Sequence, residues 1–377
     1  MKKMLSIILI LAFAGVLLAG CTAKSDINGT STDTGAKEEI TPEKSDKKAD
    51  STSTAPKYKT LNVGILVGSS AMPILYARDQ GWFEEAGLDV NVITFPTGAP
   101  INEAFAADQL DIASYGAAGI FAMSTGECTM IGEPNTAGGL GLFVREDSPL
   151  LEHQGENTVY PDALGSADTA KGLKTMLPLG TAAQYILLQW AKGFGLGEAD
   201  IEQIHMEYPS AYQAFSSGEG DAVLVSPPYY FNCINDGYTE VSGFDQDYYT
   251  DMVIARNEIL EDRGEEVTLF LQAFYRACEA LTDDELRTEY SIPAFADLGA
   301  EYTKETMAQE ISVRKYIDKK YMEDSAYEFA SWLLPTAEFY VTTEKLTADQ
   351  VDIIKNAVDL SYVEKALEID LSGTYKS

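Results

Sequence analysis

From residue 58 onward the chain alternates strand-like and helix-like segments. Stretches in which every second position is apolar are typical of strands, and stretches with apolar residues three and four positions apart are typical of amphipathic helices. The predicted order is strand, helix, strand, helix, strand, helix over residues 58–68, 71–83, 88–98, 100–109, 110–116 and 117–127. This βαβαβα order predicts parallel strands with covering helices, and therefore an α/β fold.

The turns that join these strands to the following helices are the predicted ligand-binding positions. Small molecules bind parallel sheets beyond the carboxyl ends of the strands, where helix N-termini present free amides. Pro73 fits the first turn of a helix, which places Ser69 and Ser70 at its start. Capping boxes of the form Ser/Thr-x-x-Gln are predicted at residues 181–184, 210–213 and 347–350. The candidate ligand-binding residues are Ser69, Ser70, Gly98, Tyr115, Gly116, Gly180, Thr181, Gln184, Ser226 and Tyr229.

Such turns favour an anionic or carbonyl-rich ligand, because helix N-termini carry partial positive charge without any Arg or Lys. Aromatic residues near the same strand ends indicate a ring or an apolar body in the ligand as well; they are Phe95, Tyr115, Tyr229 and Tyr230. The alternative for Thr181 and Ser226 is that they only cap their helices, and the alternative for Tyr115 is that it packs on a neighbour.

Residues 1–20 have the form of a secretory signal. Lys2 and Lys3 precede an apolar run over residues 4–16 that is short for a membrane span, and small residues precede Cys21. This ending resembles the bacterial lipobox, in which the cysteine receives a diacylglycerol; the alternative is an ordinary signal peptide with a chance cysteine. Residues 22–57 contain 12 Ser or Thr, 6 Lys and 7 acidic residues, so we expect a disordered tether. The predicted location is extracytoplasmic, with lipid on Cys21 as the membrane anchor.

Composition narrows the function further. The chain has 377 residues, enough for two cores. Its net charge of −32 disfavours nucleic acid as a partner, and the plain interpretation is a solubilising surface. With 2 His, 4 Cys and no metal-ligand spacing, we expect no metal, no cofactor and no catalytic residues, because a hydrolase triad would have to use His153 or His205. Cys278 lies in an apolar helical pattern and is predicted to be a core thiol.

Two long stretches resemble one protein family. In residues 72–126, a helix, Gly-Trp-Phe, Gly-Leu-Asp-Val, Phe-Pro-Thr-Gly, and the strand Leu-Asp-Ile-Ala followed by small residues appear in order. This order resembles the first lobe of the ABC-importer solute-binding proteins of the nitrate, sulfonate, taurine and thiamine-precursor group. Residues 177–230, with their Gly-Thr helix start and a Gly-x-x-Asp-Ala strand, resemble the second lobe of those proteins.

The resemblance implies a two-lobed periplasmic-binding-protein type 2 fold. Its implied parts are a signal peptide over residues 1–20 and a lipidated tether over residues 21–57. The first lobe consists of residues 58–147 and 249–377, and the second lobe, between these two segments, consists of residues 148–248. We expect the chain to cross between lobes near residues 139–147 and 248–260, because both are apolar strand-like runs.

The implied function is capture of a small organic ligand, anionic or heteroaromatic, such as a sulfonate or a vitamin or pyrimidine precursor. The lobes close on the ligand, and a membrane permease with its ATPase recognises the closed form. We expect a monomer that performs no chemistry. One alternative is an enzyme like the thiamine-pyrimidine synthases, which share the fold but are cytosolic and use a Lys-bound pyridoxal phosphate and a sacrificed His. The other is a tethered ligand sensor that has no permease.

Overall fold

The computed structural model describes residues 57–243 and 249–376. The predicted signal segment, Cys21 and the predicted tether up to residue 56 lie outside these residues. Within the described ranges, no helix has both the length and the apolar character needed to cross a membrane.

The described residues form ten strands and fifteen α-helices. The strands are β1 Leu61–Leu66, β2 Val90–Phe95, β3 Ile112–Tyr115, β4 Cys128–Gly132, β5 Gly141–Val144, β6 Lys174–Leu177, β7 Glu202–His205, β8 Ala222–Val225, β9 Thr239–Gly243 and β10 Met252–Arg256. The helices are α1 Met72–Asp79, α2 Trp82–Glu85, α3 Gly98–Ala106, α4 Gly119–Met123, α5 Ala167–Ala170, α6 Ala182–Gly193, α7 Tyr208–Ser216, α8 Tyr229–Asn235, α9 Asn257–Ala280, α10 Asp284–Asp297, α11 Lys304–Val313, α12 Lys319–Met322, α13 Leu333–Thr342, α14 Ala348–Asn356 and α15 Ser361–Leu367.

The strands form two sheets that follow the same plan. The first has the order β2-β1-β3-β10-β4 and the second the order β7-β6-β8-β5-β9. In the first sheet β1 is parallel to β2 and β3, and β10 is antiparallel to β3 and β4. In the second sheet β6 is parallel to β7 and β8, and β5 is antiparallel to β8 and β9. The strand that follows each crossing between sheets therefore occupies the fourth, antiparallel position.

Two short segments connect the sheets, one between β4 and β5 and one between β9 and β10. They lie side by side, since Thr136 and Thr250 form an antiparallel bridge and the Asp251 amide donates to the Asn135 carbonyl at 3.1 Å. The lobe boundaries at residues 147 and 248 stay predictions. Gly141–Val144 was predicted to be part of a crossing between lobes. In the structure it is strand β5 of the second sheet.

Apolar side chains cover both faces of each sheet. One core packs α1, α9 and α10 against one face of the first sheet, and a second core packs α3, α4 and α13 against the other. Trp82 packs at the edge of the first core, with the Arg276 guanidinium 4.0 Å from its ring centre. Cys278 is 0% exposed in the same core, which confirms the prediction of a core thiol. Burial on both faces explains why short apolar runs suffice for these strands.

Candidate functional site

The turn before α1 is packed into the first sheet and its covering helices. Pro73 lies in the first turn of α1, as predicted. Ser69 is 1% exposed and Ser70 is 3% exposed. The Ser69 hydroxyl donates to the Glu310 carboxylate, and the Ser70 carbonyl accepts a hydrogen bond of 3.0 Å from the Ser114 hydroxyl. These two predicted site residues therefore already have protein partners.

Gly98 and Tyr115 lie where α3 approaches the start of α4. A Cβ atom on Gly98 would lie 2.3 Å from the Ala118 Cβ. Tyr115 is 0% exposed, and its hydroxyl donates to Asn102 Oδ1 at 2.6 Å. Burial raises the pKa of Tyr115 well above its ordinary value. Both residues have packing partners, which is the alternative stated for Tyr115.

The loop before α6 differs in detail from the predicted capping box. Thr181 is the N-cap residue, but its side chain makes no capping bond and donates instead to the Pro178 carbonyl at 2.9 Å. The Gln184 side chain accepts from the Gly180 amide at 3.0 Å. The box at residues 181–184 was wrong because Gly180, with φ of 72°, turns its own N–H toward the glutamine.

The two other predicted boxes had opposite outcomes. The box at residues 210–213 was wrong, since α7 starts at Tyr208 after the N-cap residue Glu207 and both box positions lie inside the helix. The Pro that follows Tyr208 fits the first turn of a helix, so the helix starts earlier in the chain than predicted. The box at Thr347 and Gln350 is confirmed, with both reciprocal hydrogen bonds present.

Helix α13 and the residues after it hold the loop before α6. The Tyr340 hydroxyl donates to the Thr181 carbonyl at 3.2 Å, and the Lys345 ammonium donates to the Gln184 side chain. The Tyr185 and Phe339 rings meet edge to face, with centres 4.9 Å apart. The C-terminal part of the chain, which covers the first sheet, therefore also fixes three predicted site residues of the second: Gly180, Thr181 and Gln184.

Arg314, the residue after α11, reaches across to the second sheet. It is 7% exposed. Its Nε donates to the Gly138 carbonyl at 2.7 Å, and its Nη2 donates to the Ser226 hydroxyl at 3.0 Å. Ser226 follows β8, so the arginine connects a predicted site residue of one sheet with the helices of the other.

Asp251 lies in the second connecting segment, at the carboxyl end of β3. Its Oδ2 accepts a hydrogen bond of 2.9 Å from Asn135 Nδ2. A Cβ atom on Gly116, which follows β3, would lie 3.2 Å from Asp251 Oδ1. Burial raises the pKa of Asp251, and Glu310 also raises it, whereas Arg314 and the bond from Asn135 lower it.

Tyr208 relates the loop before α6 to Asp251 and Arg314. Burial raises its pKa above the ordinary value, and the charges of Glu207 and Asp251 add to this, whereas the Thr181 side chain and the charge of Arg314 oppose it. Tyr208 is therefore within electrostatic reach of both Arg314 and Asp251. We call the set the central cluster; it consists of Gly116, Thr181, Tyr208, Ser226, Asp251 and Arg314.

Tyr229, the last candidate, packs against another tyrosine. It begins α8, and its ring centre is 5.6 Å from that of Tyr212. Burial raises the pKa of Tyr229, and the charge of Glu301 raises it further. The structure thus brings three candidates into the central cluster and gives the others packing or supporting positions.

Sequence reasoning missed half of the central cluster. Asp251 falls inside the predicted return crossing at residues 248–260, yet one acidic residue before an apolar strand gives no signal by itself. Arg314 is 88 residues from Ser226 along the chain, so no local pattern relates them. Tyr208 precedes the capping box predicted at residues 210–213, and nothing in its local sequence marks a site. The candidate turns contain no Arg, whereas the central cluster includes Arg314.

A cavity of about 930 Å³ opens beside the central cluster. Its lining includes Arg314, but its other residues come from Thr250 and from residues 282–331. Its size suits a small organic molecule. Among the described residues, none from the second sheet or its helices lines this cavity. The central cluster, in contrast, contains residues associated with both sheets.

Comparisons with known proteins agree with this architecture. The family model described as NMT1-like family matches residues 54–292. A putative ABC transporter periplasmic binding protein of Brachyspira hyodysenteriae is 26% identical over 313 residues, which cover 82% of this chain and 90% of that protein. A putative aliphatic sulfonates-binding protein of Bacillus subtilis is 26% identical over 385 aligned positions, covering 99% of both chains.

Solved structures support the fold. The periplasmic nitrate-binding protein NrtA from Synechocystis superimposes with a TM-score of 0.67 at 15% identity, covering 84% of this chain and 90% of that one. The predicted α/β periplasmic-binding-protein fold and the predicted resemblance to solute-binding proteins are therefore confirmed.

Proposed function

Because the chain belongs to the NMT1-like family, we propose that it is the extracytoplasmic solute-binding component of an ABC importer. The ligand is a small organic molecule held at the central cluster, and the partners are a permease and its ATPase. The names of the two curated relatives, a periplasmic binding protein and a sulfonates-binding protein, support this proposal. We further propose that the protein is monomeric and performs no chemistry.

The observation that carries the proposal is that the two sheets have the same topology and are joined by two adjacent segments. Two units joined in this way can rotate toward each other about the connecting segments. Arg314 contacts Ser226 of the second sheet, and Asp251 faces Gly116 of the first. A ligand between the sheets would contact both, so its binding would favour the closed arrangement that a permease distinguishes.

Lobe closure predicts compaction on ligand binding. A thermal-shift screen of sulfonates, aromatic carboxylates, pyrimidines and vitamin precursors would first identify a compound that raises Tm, because a ligand that binds only the folded state stabilises it. Small-angle scattering should then show a smaller radius of gyration with that compound. A compound of the same panel that leaves Tm unchanged is the control. An unchanged radius with a binding compound would count against closure.

Lipid anchoring through Cys21 is a separate part of the proposal. Cys21→Ser should move the protein from the membrane pellet to the soluble fraction, because two acyl chains hold a protein stably at a bilayer and the described residues contain no helix that could replace them as an anchor. Immunoblotting of fractionated cells measures the change, with Cys278→Ser as the matched cysteine control. Full retention of the Cys21→Ser protein in the pellet would contradict the lipoprotein hypothesis.

A further inference from the structure

Asp251 is held in one orientation by the first connecting segment. Its amide donates to the Asn135 carbonyl at 3.1 Å, and its Oδ2 accepts from Asn135 Nδ2 at 2.9 Å. Two bonds to one residue fix both the main chain and the side chain. The second carboxylate oxygen, Oδ1, accepts no hydrogen bond from any residue that the structure describes, although such oxygens are strong acceptors.

The charge of Asp251 has no close cationic partner. Within the described part of the chain, no Lys, Arg or His nitrogen lies within 4.0 Å of its carboxylate. Arg314 is near enough to affect it, but the guanidinium donates to two neutral groups, the Gly138 carbonyl and the Ser226 hydroxyl. A partly buried carboxylate that lacks an ion pair is costly, and a ligand cation would offset that cost.

The free oxygen lies where a ligand can approach it. Gly116 follows β3, and a Cβ atom there would lie 3.2 Å from Asp251 Oδ1, so the missing side chain leaves the oxygen open at the carboxyl end of a strand. Gly116 and Asp251 are both only partly buried, so the oxygen is accessible at the edge of the first sheet where ligands bind in such folds.

Apolar side chains stand at matching places on the two sheets. Val67 follows β1 and Leu179 follows β6, and each of these strands lies next to the edge strand of its sheet. Both side chains are 39% exposed. Parallel strands present their carboxyl ends to a ligand, so an apolar body could be held between these two residues.

We propose that Asp251 Oδ1 accepts a hydrogen bond from a protonated nitrogen of the bound solute, so that the solute is a small organic molecule with a basic nitrogen. This inference rests on the proposed solute-binding function. It departs from the sulfonate and nitrate named for similar proteins and from the anionic ligand expected from the helix starts, several of which already have protein partners. It selects, from the anionic or heteroaromatic ligands expected from sequence, those heteroaromatic compounds that carry a basic group.

The test uses the full-length protein, purified in detergent and immobilised. The probe is a deproteinised small-molecule extract of the source cells, and mass spectrometry identifies the compounds that the protein retains. The parent should retain a compound with a basic nitrogen. Asp251→Asn should bind that compound about 10- to 100-fold more weakly, because a hydrogen bond between charged groups is lost.

Two further variants keep the result interpretable. Gly116→Ala retains the charge and fills the approach to Oδ1, so it should weaken binding as well. Asp297→Asn, a change of the same type at an exposed position of α10, should bind like the parent. Urea unfolding checks that each variant is folded.

Three results would overturn the proposal. Retention only of compounds without a basic nitrogen would leave solute binding standing and remove the role of Asp251. Equal retention by Asp251→Asn, Gly116→Ala and Asp297→Asn would do the same. Retention of nothing by the folded parent would contradict solute binding itself, and the proposal with it.

Discussion

Replacing Gly98 with alanine should destabilise the protein by about 1–3 kcal/mol, toward the upper end of that range for overpacked cores. The new Cβ would lie 2.3 Å from the Ala118 Cβ and 3.5 Å from the Tyr115 ring, whereas nonbonded carbon atoms need about 3.5–4.0 Å. Tyr115 is fully buried and hydrogen-bonded to Asn102, so the methyl group has no free space to enter. The free energy of unfolding in urea measures the effect.

A second substitution shows whether the contact with Ala118 is the cause. The double variant Gly98→Ala, Ala118→Gly moves one methyl group from α4 to α3 and should regain part of the lost stability. Gly68→Ala is the matched control, because no atom lies within 4 Å of its Cβ position, and we expect a change within about 0.5 kcal/mol. Equal stability of Gly98→Ala and Gly68→Ala would contradict the packing role.

This result bears on how the site is mapped. A loss of ligand binding in Gly98 variants would follow from a destabilised fold and would say nothing about contact with ligand. Asp251 and Gly116 are better probes, since Asp251→Asn keeps the shape of the side chain and, among the described residues, Gly116 has only the Asp251 oxygen near its Cβ position. Affinities should therefore be compared only among variants of equal stability.

Local sequence predicted the first three strands and most of their helices well. Strands β1, β2 and β3 and helices α1 and α4 lie within the segments predicted for them, whereas α3 begins at Gly98, two residues before its predicted start. These elements are short and have their own apolar patterns, and some end at a residue with a clear backbone preference. Gly81 is an example, because its φ of 71° ends the α1 region before α2 begins.

Pairing and long-range contacts could not be predicted in the same way. The apolar run of β5 has no feature that distinguishes a crossing segment from a strand of the second sheet, and only its pairing with β8 and β9 decides. The contact of Arg314 with Ser226 depends on how α11 packs over the first connecting segment. Such contacts are set by tertiary packing, whereas sequence patterns report the local period.

A buried carboxylate at the start of the first connecting segment should make the protein less stable as the pH rises. Glu133 is 0% exposed. Its oxygens accept hydrogen bonds from the Thr250 hydroxyl, from the Tyr327 hydroxyl at 2.6 Å and from the Ala330 amide at 3.1 Å. Burial raises the pKa of Glu133 from 4.5 to about 7, although the three donors lower it. The free-energy cost of burying the charged carboxylate therefore exceeds the stabilisation that its three neutral hydrogen-bond donors provide.

The sign of the effect follows from this direction. The folded protein holds the proton on Glu133 more tightly than the unfolded chain does. Stability from this group is therefore fully present below about pH 4.5 and is lost as the pH rises through about 7. The difference between the two pKa values corresponds to about 3 kcal/mol. The stability that is lost belongs to the place where the two connecting segments meet. Glu133 accepts a hydrogen bond from Thr250 of the second segment, and Thr250 bridges Thr136 of the first.

Glu133→Gln should remove this part of the pH dependence, because glutamine has a similar shape and no charge at any pH. Relative to the variant, the parent should lose about 3 kcal/mol of unfolding free energy between pH 4.5 and pH 8. Urea titrations at several pH values measure both proteins. Glu338→Gln, at an exposed position of α13, is the matched control and should follow the parent at every pH. If the parent and Glu133→Gln gave parallel curves across this range, the buried carboxylate would not titrate as its surroundings require.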